Sequence, residues 1–219
     1  MADQRVSAVQ LLTPEGQRVA HPEYDINLSD VELRGLYRDM VLVRRIDTEA
    51  TALQRQGELG VWAPCLGQEA AQVGSARALA PNDFAFPTFR EHGVTWCRGV
   101  AALDMLAMFR GVRNSGWDPN AHKCGPYSIV VGAQVLHGVG YAMGIAFDGA
   151  EDVAITYFGD GATAQGDVNE ALVFAAAFSA PVVFFCQNNQ WAISQPRDRQ
   201  SNVQIYERAA GFGFPGVQV

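Results

Sequence analysis

The chain has 219 residues, 48% of them hydrophobic and 18% charged, which suits one α/β domain with a substantial core. Its formal net charge is −7 and its Lys and Arg are scattered, so a nucleic-acid partner or an anionic membrane surface is not expected. The longest apolar run, 171–185, is broken by Ser179 and Pro181, and residues 1–12 lack the apolar stretch of a secretory signal. Cys65, Cys97, Cys124 and Cys186 form no CxxC and no zinc spacing. They read as reduced packing residues of a cytoplasmic protein that spans no membrane.

Residues 1–28, with Pro14, Gly16 and Pro22, read as an irregular arm ahead of one domain over 29–219. Ser29-Asp30-Val31-Glu32 is a capping box. It opens a helix with the apolar stripe Leu33, Leu36, Met40, Val43, Ile46, Ala50 and Leu53, stopped by Gly57 and Gly60. A second helix is expected over 68–79, before Pro81. A short strand over 84–86 leads to Phe89 and Arg90, and 103–109 reads as helix. Segment 111–126 holds turn residues and reads as a loop. The next helix, 132–147, carries Gly140-Tyr141-Ala142-Met143-Gly144, small residues that let two backbones pack closely. Their partner is either the sheet or a second subunit. A strand over 152–158, a helix over 167–178 and a strand over 182–187 follow. Segment 211–219 reads as a loop entering a strand.

A strand-helix-strand unit of this length makes a right-handed crossover between parallel strands. If those strands are neighbours, Asp160 and Asn189 leave adjacent C-terminal ends, the edge where open α/β sheets bind ligands. Alone, Asp160 fits a helix N-cap and Asn189 a turn. Together, a carboxylate and an amide oxygen make a hard-cation site, and Mg²⁺ completes its octahedron with phosphate and water. Gly159 and Gly161 allow a tight turn and close approach to a ligand, and the N-terminus of the following helix favours a diphosphate. A bare Asp160 would repel phosphate, so a metal must lie between them. The glycines at 159, 161 and 166 also depart from the dinucleotide fingerprint.

Gly159-Asp160-Gly161-Ala162 followed by Asn188-Asn189 resembles the thiamine diphosphate motif. The chain from about Leu33 onward, with Gly67-Gln68-Glu69-Ala70, Phe89-Arg90-Glu91-His92-Gly93 and Gly132-Ala133-Gln134, resembles the alpha subunit of the decarboxylating component of 2-oxo acid dehydrogenase complexes. The resemblance implies a doubly wound, mostly parallel α/β sheet binding thiamine diphosphate and Mg²⁺. It implies metal ligation by Asp160, Asn189 and the carbonyl of Trp191, and cofactor contacts at Phe89, Arg90, Ile129, Val131, Asp160, Gly161, Ala162, Gln187 and Asn189. The planar fork of Arg90 suits phosphate oxygens, although a surface pair with Glu91 would also satisfy it. Phe89 stands where the family commonly has Tyr. Gln187 stands where relatives carry Arg or Glu; its amide can donate to phosphate but brings no charge. Ile129 and Val131 would act through backbone groups, with a bulky apolar side chain between the cofactor's rings; as residues they read simply as a β-branched stretch at a helix start.

His92, His122 and His137 are acid–base candidates by position, His92 as a structural turn residue; His21 lies in the arm. The family's active-site histidines lie beyond Val219, and its aminopyrimidine-protonating glutamate lies on the beta subunit. The resemblance therefore implies a C-terminally truncated chain, inactive alone, that supplies the metal and diphosphate half of a site. Its partners would be a beta subunit in an α₂β₂ assembly, a lipoyl-bearing acyltransferase and a small 2-oxo acid, with the glycine-bearing helix at a subunit contact. The stretch 184–194 and Gln54-Arg55-Gln56-Gly57 look more like branched-chain than pyruvate members. Val61, Trp62 and Ala63 would then lie near the substrate side chain. Alternatives are a pyruvate dehydrogenase alpha subunit, a transketolase-type enzyme, which should lack the Phe-Arg-Glu-His-Gly turn, and a non-catalytic assembly subunit.

Overall fold

The computed structural model describes residues 8–114 and 116–219. The helix α1 (Asp30–Arg55) starts at the expected capping box: Ser29 N–H donates to Glu32 Oε2 at 2.8 Å and Glu32 N–H to Ser29 Oγ at 3.3 Å. Its buried line is Asp39, Val43, Asp47 and Ala50, while Leu33 is 51% exposed. Two aspartates thus occupy the deepest face of a stripe expected to be apolar. Asp39 is paired with Arg77 of α2 (Glu69–Ala78), and Asp47 accepts from Trp62 Nε1 at 2.8 Å and from the Cys65 amide at 3.1 Å. Buried acids persist only when such donors satisfy them.

A parallel sheet in the order β1 (Phe84–Phe86), β2 (Ala154–Gly159), β3 (Val182–Gln187) forms the centre. Ile155 and Tyr157 join Phe185 in a core with α1, α3 (His92–Cys97) and α4 (Ala102–Phe109). Phe158, Phe184 and Cys186 join the opposite core with α6 (Ala133–Asp148) and α7 (Gly166–Ala177). Alternate residues of one strand therefore feed two cores, and β2 reads as a continuous apolar run because both faces are covered. The doubly wound architecture is as expected. All four cysteines are free, and no helix among the described residues is long and apolar enough to cross a membrane.

Several local expectations are corrected. Segment 111–126 contains α5 (Pro119–His122), its Cys124 makes a parallel bridge to Ala85 of β1, and a second parallel bridge, Thr88↔Ser128, follows just beyond both. The periodicity could not reveal this, because single bridges need no repeat. A two-stranded hairpin, β4 (Trp191–Ala192) and β5 (Gln195–Pro196), follows β3. A short helix, α8 (Arg208–Phe212), capped by Gly213 at φ 96°, covers the start of the segment 211–219 expected to be a loop entering a strand, and 213–219 forms no strand. Residues 8–28 are largely irregular; 1–7 of the expected arm lie outside the described residues.

Gly138 is the glycine of α6 that meets the sheet: a Cβ there would lie 2.1 Å from Thr156 Cγ2, whereas Gly140 and Gly144 have nothing within 4 Å. Gly138→Ala should therefore destabilise the fold by about 1–3 kcal/mol through overpacking. Gly140→Ala should stabilise the isolated chain by about 0.5–1 kcal/mol through helix propensity. Urea unfolding of both variants checks this; a shift of the same sign in both would contradict the orientation of α6.

Candidate functional site

Parallel register aligns Gly159 of β2 with Gln187 of β3, so both strands leave the sheet side by side. Asp160 follows at once as the first residue of a 3-10 turn, 160–164, and is 2% exposed. Its carboxylate accepts an N–H from Gln200 Nε2 at 3.3 Å, and among the described residues it joins no ion pair. A buried carboxylate with one neutral donor lacks the counter-charge or the several donors that such groups ordinarily have. A divalent cation would supply that counter-charge. The site fits a metal on this ground.

Asn189 lies two residues beyond β3, exposed, with its Oδ1 accepting from the Trp191 amide at 2.9 Å; Asn188 Oδ1 accepts likewise from Gln190 N–H at 3.0 Å. These Asx turns bend the chain into the β4–β5 hairpin. An amide oxygen has two lone pairs, so the turn leaves one for a cation. Among the described residues no cluster of three His, Cys, Asp or Glu could hold a metal, so a cation here would rely on one carboxylate, amide and carbonyl oxygens, and its own ligands.

The roles expected of the glycines differ. Gly159 sits at φ −85°, open to any residue. At Gly161 a Cβ would stand 2.6 Å from Ala192 Cβ, so the close approach is to the hairpin. Ala162 is buried in the core beneath α7. The helix expected over 167–178 begins at Gly166, as α7, and a 3-10 turn that was not expected separates it from β2.

Gln187 points its amide at Glu91: Nε2 donates to Glu91 Oε1 at 2.6 Å, leaving Oε1 of Gln187 buried without a donor. Glu91 also accepts from the Thr88 amide and hydroxyl, and burial pushes its carboxyl above the usual range. Arg90 makes no ion pair with Glu91; its Nη1 donates to Pro64 O at 2.6 Å and its guanidinium lies over the Phe89 ring, 5.5 Å from the centroid. Ile129 and Val131 are exposed by 59% and 46%, an uncovered apolar shelf where cofactor rings were expected. Ile129 shares a cavity of about 440 Å³ with Val61, Phe109, Arg110 and Tyr127.

His92 is fully buried and structural. Nε2 lies 2.9 Å from Ala63 O and Nδ1 2.9 Å from Tyr127 Oη, and the ring stacks on Trp62 at 3.9 Å. A carbonyl only accepts, so Nε2 carries the proton and Nδ1 accepts from tyrosine. Burial pushes its pKa down to about 4. His92 and Arg90 thereby fix the backbone of 63–64 beside the cavity. His122 holds Arg98 O at 3.1 Å and lines a different cleft, of about 760 Å³, with Asp104 and Trp117. His137 is exposed on α6. Glu91 and Gln200 were not anticipated: Glu91 sits in a motif whose burial the sequence does not signal, and no local pattern links Gln200 to Asp160.

A family model for the dehydrogenase E1 component matches residues 37–219. The chain is 46% identical over 212 residues to a 3-methyl-2-oxobutanoate dehydrogenase subunit alpha of Mycobacterium tuberculosis, covering 96% of this chain and 58% of that protein. It is 39% identical over 216 residues to a pyruvate dehydrogenase E1 component subunit alpha of Bacillus cereus, and 37% over 212 to one of Staphylococcus epidermidis, covering 96% of this chain and 57% of each. The chain thus spans little more than half the length of these relatives. A solved structure described as a putative thiamin diphosphate-dependent enzyme from Mycobacterium smegmatis aligns with TM-score 0.43 and 21% identity, over 67% of this chain and 25% of that one.

The depressed pKa of His92 has a pH signature. The unfolded imidazole takes up its proton below about 6.5, the folded one only near 4. Stability from neutral His92 is therefore full above pH 6.5 and is lost as pH falls towards 4. Relative to His92→Gln, the wild type should lose on the order of 2 kcal/mol more between pH 7 and pH 4.5. Urea titrations at the two pH values measure it; equal losses would contradict a neutral, buried His92.

Proposed function

Because this chain belongs to the dehydrogenase E1 component family, we propose that it is the alpha subunit of a thiamine diphosphate-dependent 2-oxo acid dehydrogenase and supplies the metal and diphosphate half of its site. The observation that carries the reading is Asp160, buried without a basic partner where β2 and β3 end together. Asp160 holds Mg²⁺, with Asn189 Oδ1 and the Trp191 carbonyl as further ligands. Arg90 presents the N–H groups not used on Pro64 to a diphosphate. Gly161 and Ala162 contribute turn backbone, and Phe89 supports the guanidinium from below. Gln187 acts at one remove, keeping Glu91 in place, which is a smaller role than a direct phosphate contact. Ile129 and Val131 offer an apolar shelf for the rings. When bound, the cofactor supplies the electron sink for decarboxylation, while the protein binds, orients and excludes water.

Gly140 and Gly144 meet nothing within 4 Å, which supports the use of α6 as a contact for a beta subunit in an α₂β₂ assembly that passes its acyl group to a lipoyl-bearing acyltransferase. Free thiols suit a cytoplasmic setting. A branched-chain 2-oxo acid is favoured over pyruvate by the higher identity to the 3-methyl-2-oxobutanoate relative and by the cavity at Val61 and Ile129.

Asp160→Ala should abolish Mg²⁺-dependent thiamine diphosphate binding by the assembled enzyme. Removing an uncompensated buried charge should leave the metal-free fold no less stable. Calorimetry showing unchanged cofactor affinity would refute the site.

The assembled enzyme should favour 3-methyl-2-oxobutanoate over pyruvate in kcat/KM by about tenfold or more, roughly 1.4 kcal/mol. Steady-state kinetics decide it, and equal values would assign the chain to the pyruvate branch with its cofactor unchanged.

A further inference from the structure

The hairpin that carries the Trp191 carbonyl is strained and thinly supported. Gln190 and Ile193 lie at φ 71° and 56°, left-handed backbone that costs on the order of 1–3 kcal/mol for a residue other than glycine. Ile193 is β-branched, at the tip, and fully exposed. Strain of this kind persists only where surrounding contacts hold it. Ala192 rests on Gly161, and the Arg197 amide donates to Gln190 O at 2.8 Å. The Asx bonds at Asn188 and Asn189 hold its first strand, and a further tie is the side chain of Gln200.

Gln200 Nε2 donates to Gln195 O of β5 at 3.0 Å and to Asp160 Oδ2 at 3.3 Å. Both partners accept only, so the nitrogen must face them, and each of its two protons has one acceptor. The other end of the amide is then committed to the interior. Gln200 Oε1 is buried without a donor, and a Cβ on Gly161 would lie 3.8 Å from it. An acceptor lacking a donor therefore stands beside a carboxylate lacking a cation. Among the basic side chains of this region, Arg208 donates to Thr163 O and Asn169 Oδ1, and Arg197 Nη2 donates to Val203 O while its Nε is buried without a partner; none of them pairs with Asp160.

We infer that Gln200 is a positioning residue of the cation site: its amide nitrogen locks the Asp160 carboxylate to the β4–β5 hairpin, and its unpaired oxygen accepts from a water of the cation's shell. The inference rests on the cation site proposed above. It predicts that cation binding and hairpin order are coupled through one side chain. A bound cation would draw Asp160, Gln200 and the hairpin into one geometry, which offsets the strain at Gln190 and Ile193.

The test uses the assembled enzyme with thiamine diphosphate present and Mn²⁺ as the probe, followed by electron paramagnetic resonance of the free ion. Gln200→Leu should weaken Mn²⁺ binding by about tenfold or more, the scale of losing a group that orients a metal ligand. Hydrogen exchange of the amides in 190–196 should slow when Mn²⁺ is added to the wild type and stay unchanged in Gln200→Leu. Gln200→Glu places a second carboxylate against Asp160. Its Tm in chelator should fall below that of the wild type, and Mg²⁺ should raise its Tm by more than it raises the wild type's. Mn²⁺ affinity of Gln200→Leu within about twofold of wild type, or a Gln200→Glu variant with the wild-type response to chelator and Mg²⁺, overturns the inference while leaving the cation site standing. A wild type that binds no Mn²⁺ overturns both.

Discussion

The parallel pairing of β2 with β3 is the constraint from which the site follows. Six residue pairs keep register from Ala154↔Val182 to Gly159↔Gln187, so both chains leave the sheet at one level of one edge. The register is locked by packing. Ile155 and Tyr157 belong to one core and Phe158 to the other, and a slip of one residue would exchange the faces. Because Gly159 is the last residue of β2, Asp160 is carried into a buried turn and not out to solvent. Its unbalanced charge is a consequence of that placement.

The other buried acids show how unusual Asp160 is. Asp39 is matched by Arg77 and Glu69 by Arg44, with an amide of Gly67 added at 2.9 Å. The Arg44 guanidinium beside it holds the Glu69 carboxyl below the usual range. Asp47 and Glu91 lack a cation but gather several neutral donors each. These acids form a scaffold with a direction. Asp47 holds Trp62, Trp62 stacks on His92, His92 holds Ala63, and Arg90 holds Pro64. The segment 62–64 is thereby held from Asp47 of α1, from Arg90 and from His92 at the start of α3. Removing one partner of a buried charge is costly, so such a network fixes geometry more than it adds stability.

Flexibility is distributed to match. The body of β2 and the inner face of α6 sit in packed cores, while the hairpin after β3 has two residues per strand, left-handed backbone at two positions and an exposed isoleucine at its tip. Loops on a rigid sheet are where binding groups are ordinarily placed. In the proposed cation site, the sheet edge would contribute the carboxylate and the hairpin segment the amide and carbonyl oxygens.

Much of this was legible in the sequence because it depends on short-range physics. The capping box at Ser29, the core strands and the turn at Asp160 each follow from local propensity and period, and the crossover rule then sets the strand ends Gly159 and Gln187 side by side. The misplaced features share one cause. Asp39 and Asp47 fall on the period of an apolar stripe, and only Arg77 and Trp62, distant in sequence, make their burial tolerable. Gly161 carries the same glycine signal whether it meets a ligand or Ala192. Gln187 was read as facing phosphate, and it is Glu91, on another element, that turns its amide inward. Gln200 has no local signal at all. A sequence records what a residue can donate or accept, and by itself it determined the sheet and the turn that ends it. Which donor meets which acceptor across the fold was decided only when packing removed water and left each buried group one available partner.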